Sequence, residues 1–353
     1  IKIMAYSSIT KPTDYFNTLL YTGNGSSGRS VTGVGFQPDW IWIKDRTDSN
    51  PHKLFDAPRG VSKSIKSNSS DSEATTEENG YVSAFNSDGF TLTQGSSSQN
   101  DVNKNSNTYV SWNWEGGTTS GLSGGNITPS AYSYNATSGF GVYKYTGNGS
   151  ADQTIPHGLG AVPQLIFYKR LDSGTNWVVQ SNLLGNKVQL VLNGTDAENT
   201  DSRLGSSDNW TSTFFNVGTY GDMNSNGDPH VAYVFCNVKG YSKIGTYKGG
   251  NDTGTAGSIN DTFIFTGFKP AFLLVKKFNS SGTGWFIFDN KRDDDNPISK
   301  FLMPQAANNE DDNLIRSFDL LSNGFKSRGN SDDTSGAGSS YIYMAFAENP
   351  FVG

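Results

Sequence analysis

The chain has 353 residues, of which 34% are apolar, 13% aromatic and 17% charged, with 41 Gly and 12 Pro. Gly, Asn, Ser and Thr favour turns over helix interiors, so the composition argues for an all-β protein and against helical bundles and coiled coils. The formal net charge is −6, from 27 basic and 33 acidic residues; no Lys/Arg cluster reads as a phosphate-binding face and no apolar run reaches the ~18 residues of a membrane helix, so neither nucleic acid nor a membrane is expected as a partner.

Residues 1–14 read as a short N-terminal arm, with no apolar core of signal-peptide length between Ile1 and Lys11. A first unit follows. It holds Tyr21-Thr22-Gly23-Asn24-Gly25-Ser26, then the apolar strand Pro38-Asp39-Trp40-Ile41-Trp42-Ile43-Lys44, then Leu54-Phe55-Asp56. A turn at Asn86-Ser87-Asp88-Gly89-Phe90 carries a hairpin signal. The unit closes on the alternating strand Tyr109-Val110-Ser111-Trp112-Asn113-Trp114. The period of two puts Val110, Trp112 and Trp114 on one face, the expected core side.

The stretch Gly116-Gly117-Thr118-Thr119-Ser120-Gly121 through Ser138 reads as a linker. Beyond it the opening motif recurs unchanged as Tyr145-Thr146-Gly147-Asn148-Gly149-Ser150. Pro163 to Lys169, Trp177-Val178-Val179 and His230 to Phe235 repeat the later strands, with Phe214-Phe215-Asn216-Val217-Gly218 a looser match to the hairpin. A third set runs from Tyr247-Lys248-Gly249 through Pro270 to Lys276, Trp285 to Asp289, Ser322-Asn323-Gly324-Phe325 and Tyr341 to Phe346. From the Pro to the closing strand the separations are 71, 67 and 71 positions. Such constancy predicts three tandem repeats of a jelly-roll-like β-sandwich, at residues 15–116, 139–240 and 241–353, with a linker at 117–138. The short second junction, Gly240-Tyr241-Ser242-Lys243-Ile244, predicts that units two and three are closely coupled and unit one freer. Exposed edge strands favour an assembled or oligomeric state.

Met4-Ala5-Tyr6, Asp14-Tyr15-Phe16-Asn17-Thr18, the Tyr21 motif, Gly33-Val34-Gly35-Phe36-Gln37-Pro38-Asp39-Trp40 and the closing Tyr341-Ile342-Tyr343-Met344-Ala345-Phe346-Ala347-Glu348-Asn349-Pro350-Phe351 resemble a family of tailed-phage virion proteins. In that family Met4 is the usual start, which makes Ile1-Lys2-Ile3 an oddity. Ile155-Pro156-His157-Gly158-Leu159-Gly160 resembles a loop of phage particle proteins. The resemblance implies a virion location and a structural role, with no activity tied to these motifs.

The residues themselves offer little chemistry. His52, His157 and His230 stand apart without zinc-ligand spacing, and read as turn or strand-edge residues. Cys236, the single cysteine, excludes intrachain disulfides and reads as a small buried hydrophobe. Asp222-Met223-Asn224-Ser225-Asn226-Gly227 matches the first half of a calcium loop, but its twelfth position is Tyr233 where a bidentate Glu is required. Asp222, Asn224 and Asn226 are therefore a weak calcium candidate. Asp56 and Asp289 sit at equivalent places, where unit two has Gln180; all read as strand-end turn formers. Trp40, Trp42, Trp112 and Trp114 suit packing better than sugar stacking. No catalytic or cofactor-binding residue is assigned and no cofactor is expected. The reading is a non-enzymatic component of a bacteriophage particle, a surface decoration or fibre protein of head or tail, partnered by other virion proteins and by copies of itself. The alternative is a host-receptor or glycan-binding adhesion module.

Overall fold

A computed structural model describes residues 7–75, 78–250, 252 and 254–350. Ile1 to Tyr6 and Phe351, which carry part of the sequence resemblance and of the arm, lie outside the described residues.

Three stretches of chain each build a four-stranded antiparallel inner sheet and a smaller outer one. The first has β1 (Phe16–Thr22), β2 (Arg29–Thr32), β3 (Trp40–Asp45), β4 (Lys53–Asp56), β5 (Tyr81–Asn86), β6 (Gly89–Thr93) and β7 (Thr108–Trp114). Its inner sheet runs β1-β7-β3-β4 and its outer sheet β2-β6-β5. The second begins at β8 (Ala131–Asn135) and continues with β9 (Phe140–Thr146), β10 (Gln153–Pro156), β11 (Leu165–Arg170), β12 (Val178–Ser181), β13 (Val188–Val191), β14 (Asn199–Thr200), β15 (Phe214–Val217) and β16 (Pro229–Phe235). Here β9-β16-β11-β12 repeats the first inner order, flanked by β8 on one side and β13-β14 on the other, and β10-β15 is the outer pair. The third has β17 (Ser242–Lys248), β18 (Phe263–Phe265), β19 (Phe268–Lys277), β20 (Trp285–Asp289), β21 (Lys300–Phe301), β22 (Asp311–Asp312), β23 (Phe318–Leu321), β24 (Gly324–Ser327) and β25 (Ser340–Pro350). Its inner sheet runs β17-β25-β19-β20 and its outer sheet β18-β24-β23. The protein is thus all-β with sandwich-like layering, and each inner sheet has the same order: first strand, last, second, third.

Several local expectations meet the backbone directly. Asn86 to Gly89 turns the β5–β6 hairpin and Ser322-Asn323 the β23–β24 hairpin, whereas Phe214–Val217 pairs only with β10. Pro270 does not open its strand. It lies inside β19 at a bulge where the register to β25 shifts, a position that needs no ladder N–H.

The central strands of every inner sheet are buried on both faces, and this decides the architecture. Trp40 and Trp42 point one way from β3 and Ile41 and Ile43 the other, and all four are fully buried. Ile41 and Ile43 join Phe55, Phe90, Leu92 and Val102 in a core private to the first segment. Trp40, Trp42, Val110, Trp112 and Trp114 instead enter a core shared with Val142, Phe167 and Tyr233 of the second segment and Leu274, Ile287 and Met344 of the third. The face expected to be each unit's own core side is therefore the common one, and the opposite face covers the outer sheet. Strands covered on both sides read as continuous apolar runs, which is why β3 and β11 show little alternation. Each fully buried aromatic contributes on the order of 2–3 kcal/mol.

The first segment shares this core on the same terms as the other two. Trp40 stacks on Tyr233 with ring centroids 4.5 Å apart, and Phe16 stacks on Phe346 at 4.8 Å. Residues 117–138 are not structureless: they include β8, which pairs with β9 along Ala131 to Asn135. Arm residue Ile9 is 2% exposed and belongs to the common core.

Candidate functional site

Counting from the lysine that ends the second inner strand (Lys44, Lys169, Lys276) aligns the three segments residue by residue. Across from these lysines stand Trp285, at the start of β20, and Trp177 and His52, just ahead of β12 and β4. Each reaches into another segment. Trp177 Nε1 donates to the Lys66 carbonyl at 2.8 Å, and Trp285 Nε1 to the Val191 carbonyl at 2.9 Å. His52 Nε2 lies 3.1 Å from the Met303 carbonyl. The acceptors are themselves equivalent, since each follows the residue (Ile65, Leu190, Leu302) that pairs with the middle of the third inner strand. The links run second to first, third to second and first to third, so they close a cycle. Trp42 Nε1 donates to His52 Nδ1 at 2.8 Å, which leaves the proton on Nε2 for Met303. Burial pushes the His52 pKa well below its ordinary value and keeps the ring neutral.

A second set of links, made at two of the three junctions, involves carboxylates. Asp56 accepts from Tyr233 Oη at 2.7 Å, across the first and second segments. Asp289 accepts from Trp112 Nε1 at 3.0 Å, across the third and first. Each carboxylate holds the arginine three residues on: Arg59 Nε at 2.5 Å and Arg292 Nε at 2.6 Å, all four side chains fully buried. Burial opposes the charge on Arg59, but Asp56, Tyr233 and Glu73 outweigh it and raise its pKa. The equivalent residue in the second segment is not Gln180. The ladder pairs Trp40 with Asp56, Phe272 with Asp289 and Leu165 with Ser181, one residue further on. Gln180 points to the other face, where its amide donates to the Gly205 carbonyl at 3.1 Å. The second segment thus replaces Asp/Arg by Ser181/Leu184, and the residue aligned with Tyr233 and Trp112 is Met344, which has no donor.

Three glutamates complete the junctions. The backbone N–H groups of Glu73, Glu198 and Glu310 donate to the carbonyls of Leu171, Phe278 and Arg46, each two residues beyond the strand-end lysine of another segment. Glu73 and Glu310 also bind Arg59 and Arg292, at 3.0 and 3.1 Å. Glu310 binds Arg46 as well, at 2.7 Å. Glu198, lacking an arginine at the Leu184 position, stays exposed.

The strand-end lysines are buried and hold loop carbonyls. Lys44 Nζ donates to Asp45 and Asp48, Lys169 Nζ to Arg170 and Ser70, and Lys276 Nζ to Thr283. Burial brings all three pKa values down to about 8.

The repeated Tyr-Thr-Gly-Asn-Gly-Ser motif has its own explanation. Tyr21, Tyr145 and Tyr247 donate to the carbonyls of Val102, Met223 and Thr334. The following residues, Asn103 and Asn224, pin the motif with their amides. Asn224 accepts from the Asn148 N–H at 2.8 Å and donates to the Ser150 and Gly218 carbonyls at 2.9 and 2.7 Å. A Cβ on Gly23 or Gly147 would sit 2.0 or 2.2 Å from a backbone oxygen, so only glycine fits. Asn224, one of the calcium candidates, is therefore committed at both ends. Asp222 is only partly buried and Asn226 is exposed.

The remaining sequence candidates scatter. Cys236 is buried, its Sγ 3.3 Å from the Ala161 carbonyl, and burial pushes the thiol up to about 12. His157 lies 3.1 Å from the Thr211 carbonyl, and burial lowers it to about 4. His230 stacks on Tyr145. Trp40, Trp42, Trp112 and Trp114 are fully buried and present no face to a sugar. Among the described residues no three His, Cys, Asp or Glu side chains are grouped so as to hold a metal ion.

Sequence reading missed the ring position of His52. Aligning His52-Lys53-Leu54-Phe55-Asp56 with Trp177 to Ser181 and Trp285 to Asp289, counted back from the aspartates, would have found it.

A family model spans residues 11–350, and so takes in all three segments. The chain belongs to the family described as a domain of unknown function, DUF7483. No curated protein and no solved structure matches the chain. The DUF7483 unit is the whole three-segment body, matching the reach of the junction cycles.

Proposed function

We propose that this DUF7483 chain is three tandem copies of one jelly-roll-like sandwich, closed into a single rigid block, and that it is a non-enzymatic structural component of a tailed-phage particle. On this reading it decorates the head or forms part of a tail fibre, held by other virion proteins and by further copies of itself. The observation that carries the reading is the closed cycle of junctions. At these junctions Trp177, Trp285, His52, Asp56, Arg59, Asp289 and Arg292, residue types from which a site could be built, are committed to joining one segment to the next. Rigidity of this kind suits a part that transmits load or presents a surface.

The test is to locate the chain in purified particles by mass spectrometry and electron microscopy. A three-lobed density at a regular position, matched by the chain's peptides, is expected. Particles lacking the chain, or purified protein that cleaves a host polysaccharide and loses that activity on changing one carboxylate, would overturn the reading.

A further inference from the structure

A groove lies open between β17 and β18, and the second segment shows what fills the equivalent groove there. There residues 122–135 thread between the inner-sheet edge β9 and the outer-sheet edge β10. Asn126 and Ile127 N–H groups donate to the Thr154 carbonyl at 2.9 and 3.1 Å, and β8 then pairs along β9. Ile127, Leu122, Tyr132 and Tyr134 cover the apolar interior. The short junction before β17 leaves no such stretch for the third segment.

The third groove differs from the others in the way an unfilled site would. Val31, Ile155 and Ile264 are equivalent, each paired with the inward aromatic Phe90, Phe215 or Phe325 of the facing strand. The residues on either side are Ser30 and Thr32 in the first segment, and Thr154 and Pro156 beneath residues 125–127 in the second. In the third they are Phe263 and Phe265, 43% and 54% exposed. Leu183, 43% exposed, lines the same groove, whose volume is about 780 Å³. Three of the seven exposed large apolar side chains among the described residues therefore meet in one place.

The backbone of this edge is open at one position, since Ile244 is capped and the Lys248 carbonyl already accepts from Thr262 Oγ1 at 3.0 Å. Asn237 caps Ile244 with its side-chain amide, accepting from the N–H at 2.6 Å and donating to the carbonyl at 3.2 Å. By the two-residue period Thr246 also faces outward, at the position of Lys144, whose carbonyl accepts from Ser130 in the filled groove. Lys243 and Lys248 line the rim, and among the described residues no carboxylate does.

We propose that this groove takes an extended segment of a partner protein by strand addition at Thr246, its aromatic side chains alternating as in Ala131–Asn135 and an acidic residue meeting Lys243 or Lys248. Main-chain bonds give such sites affinity and alternate side-chain pockets give specificity. The proposal does not rest on the virion reading.

A labelled peptide of the chain's own sequence Leu122–Asn135, carrying Ala131→Glu, which falls opposite Thr246 and diagonal to Lys248 on the same face, is the probe, titrated by fluorescence anisotropy against the full chain. Saturable binding is expected, weakened at least tenfold by Phe263→Ser/Phe265→Ser, with amide exchange at Thr246 slowed at least tenfold. Both phenylalanines are exposed, so the double variant is expected to keep the parent's melting temperature. Lack of binding, equal binding of a scrambled peptide, a double variant within twofold of the parent, or protection changes confined to β8 and β9 would each overturn the proposal.

Discussion

The first and second segments meet through a buried ion pair, whereas the second and third meet without one, and this makes a transplant possible. At the first junction Arg59 holds Asp56 at 2.5 Å, Glu73 at 3.0 Å and the Leu54 carbonyl at 3.1 Å, while Tyr233 donates to Asp56 at 2.7 Å. Arg59→Leu alone leaves the Asp56 carboxylate buried with only the tyrosine hydroxyl and backbone N–H groups. Breaking one side of a buried pair costs about 3–5 kcal/mol. The Leu54 carbonyl keeps the Ile65 N–H, and Glu73, 11% exposed, has water in reach, so neither adds much. Asp56→Ser/Arg59→Leu/Tyr233→Met installs the residues the protein itself uses at Ser181, Leu184 and Met344. Whole-pair replacement by apolar groups is roughly neutral, and the smaller side chains leave a void worth about 1–2 kcal/mol. The triple variant is therefore expected to be about 1–2 kcal/mol less stable than the parent, and about 2 kcal/mol more stable than Arg59→Leu. Equilibrium urea unfolding followed by tryptophan fluorescence suits the test, because Trp40 stacks on Tyr233 at this junction. A single variant costing under about 1 kcal/mol, or a triple variant weaker than the single one, would refute the reasoning, since coupled residues must show non-additive energies.

Three further outcomes follow from the same geometry. Trp177→Phe strands the Lys66 carbonyl and is expected to cost about 2–4 kcal/mol by denaturant unfolding, whereas Trp285→Phe leaves the Val191 carbonyl the Gly194 N–H at 3.4 Å and is expected to cost less; a Trp177→Phe loss below about 1 kcal/mol would remove the ring nitrogens from the account. Asn224→Ala leaves the Asn148 N–H and the Ser150 and Gly218 carbonyls unpartnered, so a loss of about 2–4 kcal/mol is expected, with no rise in melting temperature when calcium is added to the parent; a calcium-dependent rise would restore the loop as a metal site. Burial raises the Glu115 carboxyl to about 7, so its contribution to stability is complete below about pH 4.5 and is lost as the pH rises through 7. His157, lowered to about 4, works in the opposite sense between 4 and 6.5. Glu115→Gln, compared with the parent in melting temperature at pH 5 and pH 7.5, is expected to remove the Glu115 slope alone; an unchanged difference between the two pH values would refute it.

Much of the fold was legible in the sequence, because the strands repeat in order and at near-constant spacing. Bulky apolar groups on both sides of Trp40-Ile41-Trp42-Ile43 are what a strand buried on both faces requires. What the pattern did not say was which face is shared. Periodicity assigns residues to faces, but the common core is built by association of three sheets, and a Trp facing a neighbouring segment reads like a Trp facing its own. The same ambiguity displaced Gln180 for Ser181: a one-residue slip in aligning strands exchanges the two faces, and only the hydrogen-bonded ladder fixes the count. Residues 117–138 misled for another reason. Their Gly and Ser content marks a flexible chain, yet Ala131-Tyr132-Ser133-Tyr134-Asn135 gains a strand from the edge it covers, a tertiary effect that local composition does not carry.

Shared burial also sets the smallest unit that folds. A first segment cut out at residues 15–116 would expose Trp40, Trp42, Trp112 and Trp114 together, all fully buried in the intact chain. Aromatic side chains bury roughly 150–250 Å² each, so the four present more contiguous apolar surface than the ~300–600 Å² patch a typical soluble monomer tolerates. Asp56 would lose Tyr233, Trp112 would lose Asp289 and His52 would lose Met303. Expressed alone, this segment is expected to aggregate or to form trimers through the exposed face, and the trimer is the more informative result. A closed cycle in which each segment donates to the next is what three identical chains would make, so trimers under sedimentation would mean that the junction geometry precedes the fusion of the segments. A stable, monodisperse monomer with protected tryptophans would show instead that each sandwich is complete by itself, and that the common core only joins finished domains.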